Sequence, residues 1–233
     1  MFPELMEANE RDWNKFCKRI RENGLVVSDS DGLYWHPLLP IARDLGMETE
    51  YKEFVGNGGV CYESITKQMT LLKDYSVDKV AEKMRKAQLF PGSKESIKTF
   101  QRYGLEVIIV TDNPLAEIIQ NKEIFRNKIG INHIISTATA EVREGKYTGG
   151  VSPFKPKPGI VDYWVKKYNP KKLIGIIQGE NDIPLGKAVK EHGGYVFVVN
   201  SNSTEMSKMA DTHIEKIEDA PEIIERVLKE LMA

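Results

Sequence analysis

Asp29 and Asp31 stand two residues apart in Ser28-Asp29-Ser30-Asp31-Gly32, where the apolar run Leu25-Val26-Val27 stops. Two carboxylates this close repel each other and lose hydration when buried, so a purely structural role would be an odd use of them. Other polar groups stand at or near the ends of further apolar runs. Thr111-Asp112-Asn113 ends the run 107–110, and Gln178-Gly179-Glu180-Asn181-Asp182 ends the run 173–177. Between them lies a lysine-rich turn, Phe154-Lys155-Pro156-Lys157-Pro158. Carboxylates, a hydroxyl, an ammonium and an acidic loop together suit the binding and transfer of a phosphoryl group. A divalent cation and a lysine neutralise the phosphate charge while a carboxylate attacks phosphorus. Each signal is weak alone, since DxDG also occurs in calcium sites and tight turns. The continuation lacks the further oxygen ligands of an EF-hand loop. The ordered combination is what points to phosphoryl chemistry.

These groups need elements that hold them together. The runs 25–27, 107–110, 134–135, 173–177 and 195–199 read as short buried strands, with helical patterns between most of them. Such alternation predicts an α/β fold, a Rossmann-like parallel sheet covered on both faces. Ligands of such sheets bind at the carboxyl ends of the strands, where the polar groups fall. Trp13, Phe16, Cys17 and Ile20 follow helical spacing and predict an amphipathic helix within residues 1–24, stopped at Gly24. Residues 220–231 predict a closing helix with Pro221 in its first turn.

The interval 36–90 breaks the alternation. It holds no strand-like run but two helical faces, Ile65/Met69/Leu72 and Val77/Val80/Ala81/Met84, with Ser76 as an N-cap. It reads as an inserted helical cap over the strand ends, able to exclude water or only to add stability. Gly56, Gly58 and Gly59 mark a loop within it. The expected division is an N-terminal helix in 1–24, a core of 25–35 and 91–233, and a cap of 36–90.

With 233 residues and a net charge of −1, the chain offers no broad basic field for nucleic acid or anionic membrane. Cys17 and Cys61 lack zinc or disulfide spacing, and no run approaches the ~20 apolar residues of a membrane span. Residues 1–24 carry no signal-like apolar stretch. A cytoplasmic protein acting on a small molecule is expected, its oligomeric state open.

The strand-end residues resemble the haloacid dehalogenase-like (HAD) superfamily, whose members show DxD after strand one, Ser or Thr after strand two, a Lys often written KPxP, and an acidic GDxxxD or GDGxND loop. The likeness runs from Gly24 onward. It is strongest to the phosphoserine phosphatase branch with a helical cap, through Ile41-Ala42-Arg43-Asp44-Leu45-Gly46, Leu71-Leu72-Lys73-Asp74, Pro91-Gly92 and Gly145-Lys146-Tyr147-Thr148-Gly149. The resemblance implies a magnesium-dependent (Mg2+) phosphatase for a small phosphorylated metabolite. It makes Asp29 the nucleophile that becomes an aspartyl-phosphate and Asp31 the general acid and base. Thr111, with Asp112 and Asn113, would bind the phosphate. Lys155 would pair with phosphate and nucleophile, with Lys157 as the other candidate. Asp29, the Asp31 carbonyl, Asp182 and Gln178 would surround the metal.

Two departures qualify this. Gln178 stands where the family carries a metal-binding aspartate, and a neutral amide weakens a hard-cation site. Three readings follow: an active enzyme with a rearranged metal site, a slow enzyme, or a lapsed protein that binds a phospho-ligand or a partner. The retained Asp29, Asp31, Thr111 and lysine favour the first; a phosphotransferase is a further alternative. The stretch from Leu33 to Pro40 also lacks the carboxylate that would meet a serine amine, and Gln68 stands near the arginine expected to meet its carboxylate. Phosphoserine is therefore not expected as the main substrate. Tyr34, Trp35 and His36 could wall a leaving-group site or pack the hinge between cap and core.

Overall fold

The computed structural model describes residues 10–36, 38–56, 62–131, 133–153 and 155–233. Of the residues singled out in the sequence, Cys61, Phe154 and the loop glycines Gly58 and Gly59 lie outside these stretches.

The chain opens with α1 (Glu10–Glu22), followed by β1 (Leu25–Ser28). Four helices come next: α2 (Leu38–Asp44), α3 (Glu48–Gly56), α4 (Tyr62–Thr70) and α5 (Val77–Lys86). Then come α6 (Ser93–Arg102), β2 (Glu106–Thr111), α7 (Ala116–Asn121), α8 (Ile124–Ile129) and β3 (His133–Ser136). A hairpin of β4 (Ala138–Arg143) and β5 (Lys146–Pro153) precedes α9 (Lys157–Tyr168) and β6 (Leu173–Ile177). The chain continues through α10 (Ile183–Glu191), β7 (Tyr195–Val199), α11 (Thr204–Met209), β8 (Thr212–Ile214) and α12 (Ala220–Leu231).

Six strands form one parallel sheet in the order β3-β2-β1-β6-β7-β8. This is the Rossmann-like α/β architecture that the alternating pattern predicts, and all five expected strands are present. The apolar runs lack alternation because both sheet faces are covered. Val26, Ile109, Ile174 and Phe197 enter one core cluster with α6 and α12; Val27, Ile108, Ile177 and Val198 enter the other with α1 and α9. In α1, Phe16, Cys17 and Ile20 are buried as their spacing requires, and Trp13 packs edge-on to Trp164. Strand β1 lies centrally, with β2 on one side and β6 on the other. The chain runs outward from β1 through β2 to β3 and then returns to place β6 on the other side of β1. This reversal of strand order opens a crevice at the carboxyl ends of β1 and its neighbours.

The interval after β1 is helical, and Ser76 caps α5 by accepting from the backbone N–H of Lys79 at 3.2 Å. Leu72 is buried but lies in the turn after α4. The hairpin is new relative to the sequence pattern. Its two-residue loop, Glu144-Gly145, has positive φ at both positions (51° and 72°), the geometry whose twist matches antiparallel strands. Backbone bonds from Asp74 to Tyr147 (2.9 Å) and from Tyr147 to Tyr75 (3.0 Å) tie it to the segment between α4 and α5. Strand β8 is a further addition, a three-residue edge too short to stand out as an apolar run. No described helix is long and apolar enough to cross a membrane.

Candidate active site

The carboxyl ends of β1, β2 and β6 and the first turn of α9 converge. At β1 the backbone N–H of Asp29 still bonds to Ile176 of β6, so the side chain emerges where the sheet ends. The loop then tightens through a Gly32 N–H to Trp35 carbonyl bond of 2.8 Å. Gly32 has φ of 81°, a backbone conformation that favours glycine, and a Cβ there would meet Gln178 Oε1 at the end of its flexible side chain.

Lys157 is the ammonium of the site. Its Nζ lies 3.1 Å from Asp29, 3.0 Å from Asp112 and 2.5 Å from Asp182, and its side chain is 3% exposed. Lys155, favoured from the KPxP frame, is exposed and folds over Gly159 instead. The turn is also the start of a helix: Pro156 is extended at the N-cap, and α9 begins at Lys157. Lys157, Ile160, Val161, Trp164 and Tyr168 form one buried stripe at helical spacing, so Lys157 lies at the top of the inward face. That periodicity was the available signal for choosing Lys157.

The carboxylates differ in environment. Burial raises the proton affinity of Asp29 well above the ordinary range, with Asp182 adding to it and Lys157 opposing it. Burial works against the Lys157 ammonium, but Asp182, Asp29 and Asp112 outweigh it and keep its pKa well above normal. Asp31 is pushed up to about 6, mainly by burial and against hydrogen bonds from Ser30 and Asn113. Its Oδ1 accepts from Ser30 Oγ at 3.1 Å and its Oδ2 from Asn113 Nδ2 at 2.8 Å.

Thr111 Oγ1 accepts from the Asn113 backbone N–H at 3.1 Å and lies 3.1 Å from Ser30 Oγ, whose single proton serves either Thr111 or Asp31. Asn113 is anchored by the Leu115 N–H on its Oδ1 (2.9 Å), so its amide group serves Asp31. The Asp112 side chain turns to Lys157, Thr137 Oγ1 (2.5 Å) and Asn181 Nδ2 (3.0 Å). Asp112 was expected beside the phosphate, but its carboxylate adds negative charge there. Asn181 and Thr137 were not anticipated; they lie 69 and 25 positions from Asp112, beyond any local pattern.

Tyr34 and Trp35 are buried, with Tyr34 Oη 2.6 Å from Ser28 Oγ and Trp35 tilted on Phe125. They pack the base of the site. His36 lies beside Gly32 and edge-on to Phe90.

The donor set does not fit a tight magnesium centre. Asp182 is committed: Oδ1 meets Lys157 and Asn181, and Oδ2 accepts the backbone N–H groups of Gln178 (3.1 Å) and Gly179 (3.2 Å). Four bonds use the acceptor capacity of a carboxylate. Asp182 therefore braces its loop, where a metal-ligating role was expected. Gln178 contributes a neutral amide. Among the described residues no three His, Cys, Asp or Glu side chains form a group that could hold a metal ion.

No family model matches the chain. The chain is 27% identical to a curated phosphoserine phosphatase of Methanocaldococcus jannaschii over 157 residues, 63% of this chain and 72% of that protein. A substrate-bound phosphoserine phosphatase complex superposes with a TM-score of 0.71 at 25% identity, covering 88% of this chain and 97% of that one. A phospho-aspartyl intermediate analogue of phosphoserine phosphatase gives a TM-score of 0.70 at 25% identity over the same shares. A HAD family hydrolase of Salmonella enterica serovar Typhi, 18% identical, shares the fold with a TM-score of 0.68, covering 85% of this chain and 69% of that one. Sheet order, strand-end residues and these relatives agree: the chain has the fold of haloacid dehalogenase-like hydrolases and is most similar to their phosphoserine phosphatase-like branch among these relatives.

Proposed function

We propose that this protein hydrolyses a small phosphate monoester through a covalent intermediate on Asp29. The observation that carries the reading is the convergence of Asp29, Lys157, Thr111 and Asp31 at one strand-end crevice, with Asp29 paired to Lys157 and Asp31 poised near 6. An Asp29 oxygen attacks phosphorus while the bond from phosphorus to the leaving alcohol breaks. The electron pair goes to the alkoxide oxygen, which takes the Asp31 proton. Asp31, now ionised, removes a proton from water, and that water attacks the acyl phosphate. The Asp29–phosphorus bond breaks, inorganic phosphate leaves, and both carboxyl groups return to their starting states. A carboxyl group with pKa about 6 suits both proton transfers near neutral pH. Thr111 donates to a phosphoryl oxygen, and Lys157 offsets the charge that gathers around phosphorus.

The helices α2–α5 serve as a cap over these strand ends and exclude water from the intermediate. Magnesium takes no part in these steps, because the donors that face its expected place reduce to Asp29, already paired to Lys157, and the neutral Gln178 amide. The leaving group is not a serine zwitterion in the main reaction, given the neutral Leu33–Pro40 stretch and Gln68.

Inorganic-phosphate release from an aryl phosphate and from phosphoserine, with and without magnesium, tests the reading. Turnover is expected on the aryl ester, weakly or not at all on phosphoserine, and Asp29→Asn abolishes it. Full activity in Asp29→Asn would remove the covalent mechanism. Gln178 favours one other reading, a phospho-ligand binder without turnover, which any efficient wild-type turnover excludes.

A further inference from the structure

A lysine ammonium has three N–H donors. Three carboxylates stand within hydrogen-bond distance of Lys157 Nζ: Asp29 at 3.1 Å, Asp112 at 3.0 Å and Asp182 at 2.5 Å. Asp29 and Asp182 accept hydrogen bonds from Lys157, and Asp112 is its ion-pair partner, so three carboxylates share the charge of Lys157 before any phosphate arrives. A phosphoryl oxygen that pairs with Lys157 competes with these carboxylates for the ammonium.

The three carboxylates differ in how readily they can be displaced. Asp182 is wholly buried and is held by two backbone N–H groups as well as Lys157. Asp29 has a side chain 7% exposed and must stay beside phosphorus to attack it. Asp112 is the most open, with its side chain 18% exposed at the end of β2. Thr137 and Asn181 hold it in place without enclosing it. The Asp112 carboxylate, paired to Lys157 at 3.0 Å, offers only acceptor oxygens toward an incoming phosphoryl group.

We propose that Asp112 is an internal competitor for the phosphoryl group, seated on Lys157 until phosphate binds and displaced by it. The inference rests on the phosphatase reading and adds to it the residue that sets how tightly the site retains phosphate. Displacement acts on substrate and product alike. It lowers affinity for both without changing the reacting atoms, and it speeds departure of the product. With Asp112 neutral, Lys157 is released to the phosphate and a like charge is removed from its vicinity.

Calorimetric titration of the full chain with inorganic phosphate at pH 7.5 tests this on wild type, Asp112→Asn and Asp112→Ser. The asparagine keeps shape and hydrogen-bonding capacity toward Thr137 and Asn181; the serine covers the case in which the amide misfolds, judged by thermal melting. The expected result is a Kd for phosphate at least ~10-fold lower in the folded variants than in wild type. Equal or weaker binding in the variants overturns the role of Asp112 while leaving the phosphate site intact. No phosphate binding by any of the three proteins removes the site itself, and the inference with it.

Discussion

Replacing Asp31 by asparagine tests the electrostatics of the site through stability as well as rate. The folded protein raises Asp31 from its ordinary 3.8 to about 6, chiefly by burial. A carboxyl group whose folded pKa exceeds its unfolded one favours folding while protonated. That contribution is fully present below the unfolded pKa and is lost as pH rises through the folded value. The difference of roughly two pH units, at ~1.4 kcal/mol each, amounts to about 3 kcal/mol lost between pH 4 and pH 7.5. Asparagine carries no charge to desolvate. Its carbonyl can accept from Asn113 and its amide can donate to Ser30 Oγ, so both local bonds have replacements.

Urea denaturation of wild type and Asp31→Asn at the two pH values gives the comparison. The two proteins should be nearly equal at pH 4, and the variant more stable by up to about 3 kcal/mol at pH 7.5. Phosphatase activity should fall by ~100-fold or more, the usual contribution of a positioned acid and base. A stability difference that stays flat across this range would refute the reasoning, because Asp31 would then ionise as easily folded as unfolded. Gaining stability while losing turnover is the behaviour of a group kept in an unfavourable place for its chemistry.

The two lysines of the proline-flanked turn should behave very differently. Lys157→Met strands buried Asp182 and Asp29 without their counter-charge, costing about 3–5 kcal/mol of stability and ~100-fold or more in rate. Lys155→Ala, at an exposed position, should change stability by less than about 0.5 kcal/mol; equal losses in both variants would return the choice between them to the sequence. Gln178→Asp supplies the missing carboxylate beside Gly32 and should tighten magnesium binding at least ~10-fold, read directly by calorimetry and as a magnesium-dependent rise in Tm. An unchanged magnesium affinity in that variant would mean that position 178 does not face the cation.

The strands, the amphipathic α1 and the closing α12 were legible in the sequence because each depends on local periodicity: unbroken apolar runs for strands buried on both faces, and a 3.6-residue stripe for helices on their surface. Asp29, Asp31 and Thr111 were legible for the same reason, being polar residues where apolar runs stop. Lys157 was legible only in part. Its place on the stripe Ile160, Val161, Trp164 is local, but the KPxP frame of the turn favours Lys155 instead. The hairpin β4–β5 escaped because its strands are half-buried and carry no unbroken apolar run, and the segment at Asp74 and Tyr75 ties it to the rest of the fold.

What only the tertiary structure decided is how the charges are shared. The sequence supplies four aspartates and two lysines near strand ends, and simple counting could put any of the carboxylates on a metal. Strand order and the seat of α9 give Lys157 to Asp29, Asp112 and Asp182 together, and turn Asp182 back onto its own loop. Electrostatic energies change steeply over a few ångströms and with burial. The sequence therefore named the groups, and packing alone assigned their partners and their proton affinities.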